Sequence, residues 1–200
     1  MFTRGIVRSG SSVVRSNAFF QRRLVSNYFE LFPNTFTDKK PSWQVDQAKL
    51  RKEYRLLQAQ FHPDVVASGS NEDQSSLLNK AYHILKSPLT RSQYLIKVLD
   101  DIDLTNDEVK KQITNSDPEL LMKIIDTHEE LSECTEEEEV RTIEKENKSR
   151  MKDIETQLDT AFANSDYKTA IRLTVELKYW TNLALAIKEW APGKPIELIH

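Results

Sequence analysis

The chain has 200 residues, of which 38% are hydrophobic and 30% are charged, and its formal net charge is −3. This composition is typical of a globular chain with one domain or two small ones. A single cysteine, Cys134, excludes an internal disulfide framework and any site built from several cysteines, and no apolar run approaches the roughly 20 residues that cross a bilayer. The four glycines and the long tracts of Leu, Ala, Glu, Lys and Arg predict an all-α fold.

Residues 1–26 differ chemically from the rest of the chain. They contain five arginines and several serines, and the first acidic residue is Glu30. This composition predicts a mitochondrial transit peptide, although a basic tail that binds nucleic acid or an acidic membrane has the same pattern. Without these five of the 28 basic residues, 23 remain against 31 acidic ones, for a net charge near −8. The remaining chain is therefore not expected to bind nucleic acid, which requires a basic surface.

Three helices are predicted between residues 27 and 104, after a short aromatic segment at residues 28–33. The first runs from about Val45 to Gln60 with an apolar stripe at spacings of three and four. The second begins near Asn71 or Glu72, which gives an antiparallel helical hairpin, and a third, short helix follows Pro88. The side of the first helix away from the stripe is basic, with Arg51, Lys52 and Arg55.

A tripeptide, His62-Pro63-Asp64, opens the loop between the first two predicted helices. Pro63 disfavours a helical conformation in the residue before it, so the first helix is expected to end near Phe61. His62 and Asp64 could pair as metal ligands or as acid and base. Two groups without a third convergent partner make an incomplete site, however, and the sequence favours a docking role instead.

With the basic helix before it and LNKAYHILKSP at residues 78–88 after it, this loop resembles that of a J-domain, which we assign to residues 27–104. The resemblance implies that Arg51, Lys52 and Arg55 dock on the ATPase domain of a heat-shock 70 chaperone. It further implies that His62, Pro63 and Asp64 stimulate hydrolysis of the chaperone-bound ATP. For the three basic residues, the alternative is a solvated helix face.

Three longer helices are predicted after a polar hinge at residues 105–116. Asp117 and Pro118 form a helix-start signal, with a side-chain cap followed by proline at the first helical position. The predicted helices cover about residues 118–132, 136–163 and 166–190. Long helices with short connections predict an antiparallel three-helix bundle at residues 117–200.

From residue 27 to its end the chain resembles the HscB-type co-chaperones of iron–sulfur cluster assembly, which join a J-domain to a three-helix bundle. The segments that carry the resemblance are YFELF at 28–32, SDPELLM at 116–122 and LTVELKYW at 173–180. The arginine-rich leader makes the mitochondrial fungal branch the nearest likeness. Some relatives carry an N-terminal cysteine-rich zinc module, and this chain has no cysteines there, which excludes the corresponding metal site.

The resemblance implies a co-chaperone of the mitochondrial matrix, with no cofactor and no catalytic activity of its own. Its implied partners are a mitochondrial heat-shock 70 chaperone and the iron–sulfur cluster scaffold protein, whose cluster transfer it would promote. The implied scaffold-binding residues are Leu120, Leu121, Lys123, Ile125, Asp126, Glu129, Glu130 and Tyr179. Tyr179 lies roughly 130° around its helix from the apolar stripe, so it is expected outside the bundle centre. The apolar arc of the first bundle helix is broader than one packing seam needs, and its exposed remainder could form a binding patch. All of these apolar residues could instead belong to the core; we favour the core for Leu120 and the interface for Leu121, Ile125 and Tyr179. The charged members could rim a binding patch or could form a solvated helix face.

Two other functions are compatible with parts of the sequence. A general J-protein would use its bundle to capture unfolded clients or to anchor to another complex, whereas the specialised co-chaperone binds one folded partner. A hydrolase built on His62 and Asp64 would need a nucleophile elbow, a phosphate loop or a metal set, none of which the sequence contains. We expect His83 and His128 to pack within helices and Cys134 to be an incidental thiol.

Overall fold

The computed structural model describes residues 27–61, 70–106 and 117–193. The predicted transit peptide, the tripeptide His62-Pro63-Asp64 and most of the predicted hinge lie outside the described residues. Within the described ranges a short 3₁₀ helix, Tyr28–Leu31, precedes six α-helices, and the all-α prediction is confirmed. The helices are α1 (Gln47–Phe61), α2 (Ser70–Lys86), α3 (Pro88–Asp100), α4 (Pro118–Glu133), α5 (Glu137–Ala163) and α6 (Tyr167–Glu189).

Helices α1 and α2 form the predicted antiparallel hairpin. Tyr54 of α1 stacks on Tyr82 of α2 with ring centres 3.9 Å apart, and the Tyr54 hydroxyl donates a 2.7 Å hydrogen bond to Asn79 Oδ1. At the other end, Gln47 Nε2 donates to the carbonyl of Lys86 at 3.0 Å. The start of α1 therefore lies beside the end of α2. Ala48 and the other outward positions of α1 remain on the far side from this contact.

Glu53 is a buried acid on the inner side of α1, with only 4% of its surface exposed. Its Oε1 accepts hydrogen bonds from the backbone and side-chain nitrogens of Asn34, at 2.8 and 2.9 Å. Its Oε2 accepts from the backbone nitrogen and hydroxyl of Thr35, at 2.8 and 2.7 Å. The Glu53 carboxylate thus links the segment after the 3₁₀ helix to α1 through four hydrogen bonds. These four donors compensate the cost of burying the carboxylate.

We expect Glu53→Ala to lower the free energy of unfolding by about 2 kcal/mol, because two backbone N–H groups lose their acceptor and the segment loses its attachment. Urea denaturation followed by circular dichroism measures the change. Glu146→Ala, at an exposed helical glutamate of α5, is the matched control and should change the stability by less than about 0.5 kcal/mol. Equal effects of the two substitutions would contradict the attachment role of Glu53.

Helix α3 starts at Pro88 and ends where Asp101 adopts a left-handed conformation with φ of 55°. It holds the aromatic N-terminal segment in place, since the Tyr94 hydroxyl accepts a 2.8 Å hydrogen bond from the backbone nitrogen of Tyr28. The two rings also stack, with their centres 4.5 Å apart. Phe29 and Phe32 are fully buried beside them. The aromatic opening of the chain is therefore part of the N-terminal core.

The three bundle helices begin where their capping residues predict. Asp117 accepts a 3.1 Å hydrogen bond from the backbone nitrogen of Leu120, and Asp166 accepts one from Thr169 at the same distance. At the start of α5, Glu139 Oε2 accepts from the backbone nitrogens of Thr135 and Glu136. The bonds from Thr135 and Glu136 lower the pKa of Glu139. Hydrogen bonds from the side chain and the backbone of Thr169 lower the pKa of Asp166. The buried stripe of α5 is Val140, Ile143, Asn147, Ile154, Leu158 and Ala161.

Helices α5 and α6 pack against each other along their length. In the middle of this contact, Asn147 Nδ2 donates a 3.0 Å hydrogen bond to the carbonyl of Trp180. Trp180 itself is fully buried, and the guanidinium carbon of Arg150 lies 4.2 Å from its ring centre. None of the helices in the described ranges combines the length and the apolar character needed to span a membrane.

The N-terminal half also packs on the bundle, through α3 against α6. Trp43, just before α1, stacks on Phe162 of α5 with ring centres 5.6 Å apart. Next to it, Gln44 Nε2 donates a 3.2 Å hydrogen bond to Asp159 Oδ2. The sequence predicted a hinge between the two halves and no contact across it. Each of these two contacts joins residues more than a hundred positions apart in the chain, which local sequence patterns do not relate.

Arg91 of α3 lies at this junction and is only 5% exposed. Its guanidinium carbon is 4.6 Å from the centre of the Trp43 ring, and its Nη1 donates a 2.7 Å hydrogen bond to the carbonyl of Leu85. Burial lowers the pKa of Arg91 to about 10, although the negative charge of Glu155 on α5 opposes the shift. Burial likewise raises the pKa of Glu155, and the Arg91 charge opposes that shift. The junction therefore combines aromatic, cation–π and charge contacts.

Candidate partner-binding surfaces

The basic face of α1 consists of Arg51, Lys52 and Arg55, and all three side chains are exposed. The hairpin contact buries the opposite side of the helix, where Leu50 is fully buried. Among the described residues, no carboxylate lies within ion-pair distance of these three cations. As far as the described residues show, the basic face therefore presents unpaired positive charge to solvent, as a surface for an acidic partner requires. The predicted trigger residues His62, Pro63 and Asp64 follow α1 and lie outside the described residues.

A second exposed surface lies on α4 and is apolar. Leu121 and Ile125 are 37% and 43% exposed, and Met122 beside them is 60% exposed. We call these three residues the α4 patch. Leu121 and Ile125 face away from the bundle core, as expected, whereas Leu120, Ile124 and Leu131 are buried in it. Some apolar residues of α4 thus pack in the core and others remain exposed to solvent. An exposed group of apolar side chains marks a candidate binding surface.

Met122 is an exposed residue of this surface that sequence reasoning did not select. It lies 100° from Leu121 and 60° from Ile125 around the helix axis, since each helical residue turns by about 100°. The signal that could have identified it is an unbroken apolar run, Leu120-Leu121-Met122, at the start of a helix whose core needs only one side. Methionine also adapts readily to irregular apolar partners.

The charged residues predicted for this surface are all exposed: Lys123, Asp126, Glu129 and Glu130. They contribute one positive and three negative charges, so the surroundings of the α4 patch are acidic on balance. Leu120 differs from them, since it is only 8% exposed and packs in the bundle core. Tyr179 lies on α6, which packs against α4. Its side chain is half-buried and contacts the edge of the core, not its centre.

The described residues contain two histidines, His83 and His128, and one cysteine, Cys134. In the described parts of the chain, no three His, Cys, Asp or Glu residues converge to hold a metal ion. His128 is half-buried in α4, and burial lowers its pKa. His83 is exposed on α2, so the prediction that it packs within its helix is wrong. Burial and neighbouring glutamates raise the pKa of the Cys134 thiol, which disfavours its thiolate form.

A helical hairpin with an exposed basic face, packed through a third helix on a three-helix bundle, defines a J-domain protein with a C-terminal helical domain. Comparisons with known proteins agree. Residues 42–94 match the DnaJ domain family, and residues 116–188 match the HSCB C-terminal oligomerisation domain family.

Several relatives match most of the chain. The mitochondrial J-type co-chaperone JAC1 of Saccharomyces cerevisiae is 55% identical over 180 residues, which cover 90% of this chain and 97% of the relative. The human iron–sulfur cluster co-chaperone protein HscB is 30% identical over 170 residues, which cover 81% of this chain and 67% of the relative. A solved structure of the Jac1 co-chaperone from Saccharomyces cerevisiae superposes on this chain with a TM-score of 0.78 at 55% sequence identity. The match covers 88% of this chain and 100% of the Jac1 chain.

The chain belongs to the HscB/Jac1 family of J-type co-chaperones. Its predicted resemblance to the mitochondrial fungal branch is confirmed, since the similar Saccharomyces cerevisiae and Schizosaccharomyces pombe proteins are both named mitochondrial. The chain is accordingly a mitochondrial co-chaperone rather than an enzyme in its own right.

Proposed function

We propose that this co-chaperone binds an iron–sulfur cluster scaffold protein and delivers it to a heat-shock 70 chaperone of the mitochondrial matrix. There it stimulates the chaperone's ATPase and so promotes cluster transfer. In this proposal the basic face docks on the chaperone, and His62, Pro63 and Asp64 trigger hydrolysis. The α4 patch binds the scaffold together with Tyr179, and the charged residues Lys123, Asp126, Glu129 and Glu130 surround the contact.

The observation that carries the proposal is the opposite character of the two exposed surfaces. The basic face has three cations with no ion-pair partner in the described ranges, whereas the α4 patch is apolar and its surroundings are acidic on balance. Complementary charge selects partners, so the two surfaces favour different proteins. Because both lie on one chain whose halves pack together, a scaffold bound at one surface reaches the chaperone at a high effective concentration. Delivery then requires no chemistry from the co-chaperone itself.

Calorimetric titration distinguishes this function from that of a general J-protein. The chain is titrated with the purified, folded scaffold and, separately, with extended apolar peptides that represent unfolded clients. We expect saturable binding of the scaffold and none of the peptides, because the α4 patch is a small surface on a folded helix. The chaperone's ATPase should also rise further when the co-chaperone and the scaffold are present together. Binding of many peptides without binding of the scaffold would favour the general J-protein.

A further inference from the structure

Leu56 is a large apolar side chain on the outward side of α1, and it is 57% exposed. It lies one turn after Lys52 and directly after Arg55. Together with Ala48 and Arg51, these residues line a shallow groove along the helix surface. Leu56 is thus an apolar side chain at the edge of the basic face.

Among the described residues, Leu56 takes no part in the core packing. At 100° per residue it lies about 120° around the helix from Leu50, which is fully buried in the hairpin. The inward positions Tyr54 and Leu57 pack against the core, and Leu56 is absent from that packing. A single exposed leucine is common on protein surfaces and carries no argument by its position alone.

The charges around Leu56 give it significance. The only acid of α1, Glu53, is buried and turned toward Asn34 and Thr35. The one acid of this helix thus points away from Arg51, Lys52 and Arg55, which flank an exposed apolar group. A partner attracted by these cations brings an acidic surface, and close docking of that surface also covers Leu56. Buried apolar groups within a charged rim form the energetic centre of many interfaces.

We propose that Leu56 is an apolar anchor for the chaperone's ATPase domain, and that the docking surface there has an apolar recess among acidic residues. This inference rests on the proposed function. It assigns separate roles to the two kinds of side chain. The cations accelerate the encounter and lose influence as salt screens them, whereas Leu56 slows dissociation at every salt concentration.

Binding kinetics test this division with the ATP-bound chaperone immobilised and the co-chaperone in solution, at 50 and 300 mM KCl. The variants are Leu56→Ala, Arg51→Ala with Arg55→Ala, and Leu185→Ala as the control. Leu185 is a 44% exposed leucine on α6 and forms no part of the proposed surfaces. We expect Leu56→Ala to raise the dissociation rate about tenfold at both salt concentrations, because most of a buried side chain is removed. The double arginine variant should mainly lower the association rate, and its deficit should shrink at 300 mM KCl.

Three results would overturn the inference. Leu56→Ala could dissociate at the same rate as the unmodified chain and the Leu185→Ala control. Its deficit could lie wholly in the association rate and disappear at 300 mM KCl. In either case, normal binding of the unmodified chain would leave the proposed function standing. Absence of chaperone binding by the unmodified chain would overturn the proposed function together with this inference. Circular dichroism of every variant confirms that the helices are intact.

Discussion

Replacing Leu121, Ile125 and Tyr179 together with alanine is expected to weaken binding of the cluster scaffold at least about a hundredfold. Leu121 and Ile125 are exposed without packing in the core, and Tyr179 adds an aromatic side chain from the neighbouring helix. Large apolar and aromatic side chains at the centre of an interface each contribute substantially to affinity. Removing three such groups leaves only the surrounding charges, which contribute little by themselves. Calorimetric titration with the purified scaffold measures the loss.

The control for this variant is Val98→Ala with Leu99→Ala on α3. These two side chains are 37% and 40% exposed, close to the values for Leu121 and Ile125, and they lie outside the α4 patch. The control should bind the scaffold normally. Because Tyr179 contacts the core edge, circular dichroism and the Leu121→Ala with Ile125→Ala double variant separate lost contact from lost folding. Normal scaffold affinity in the folded triple variant would remove the α4 patch from the proposal.

The substitutions His62→Gln and Asp64→Ala are each expected to abolish stimulation of the chaperone's ATPase. The expectation follows from the J-domain resemblance, in which this tripeptide after a basic helix acts as the trigger. Single-turnover hydrolysis of chaperone-bound ATP measures it directly. Both variants should bind the scaffold with unchanged affinity, because the proposed scaffold surface is on α4 and α6.

His83→Gln is the matched control for the tripeptide variants. His83 is an exposed histidine on α2, in the same half of the chain, and no function is proposed for it. Its replacement should leave the ATPase stimulation unchanged. Full stimulation by either tripeptide variant would contradict the proposed trigger, whereas loss in all three variants would indicate general damage to the J-domain.

Local signals predicted the helices well because helix ends are local events. Asp117 and Asp166 cap the starts of α4 and α6 with their own side chains, and Pro88 occupies the first position of α3. The helix predicted at about residues 136–163 likewise agrees with α5. Each of these features depends on neighbours within about four residues, and the sequence displays those neighbours directly.

The features that escaped prediction depend on distant partners. Glu53 lies in a strongly basic helix, where a lone acid reads as part of a solvated face, yet its partners are Asn34 and Thr35 in an irregular segment. Arg91 was likewise hidden, because its burial depends on Trp43 and on the bundle. For the candidate surfaces, the width of the apolar arc correctly indicated that part of it, including Leu121, stays outside the core. It could not show which exposed residues contact a partner, and those roles stay predictions.

The junction between the halves also has a thermodynamic consequence. Trp43 stacks on Phe162 across it, and Arg91 lies over the same indole ring. Each half is therefore stabilised in part by its contacts with the other half. Heat or urea should unfold both halves in one cooperative transition. A fragment that ends before α4 exposes the indole face and leaves the Arg91 charge without Glu155. The solubility and melting temperature of such a fragment then depend on the newly exposed surface as well as on the J-domain itself.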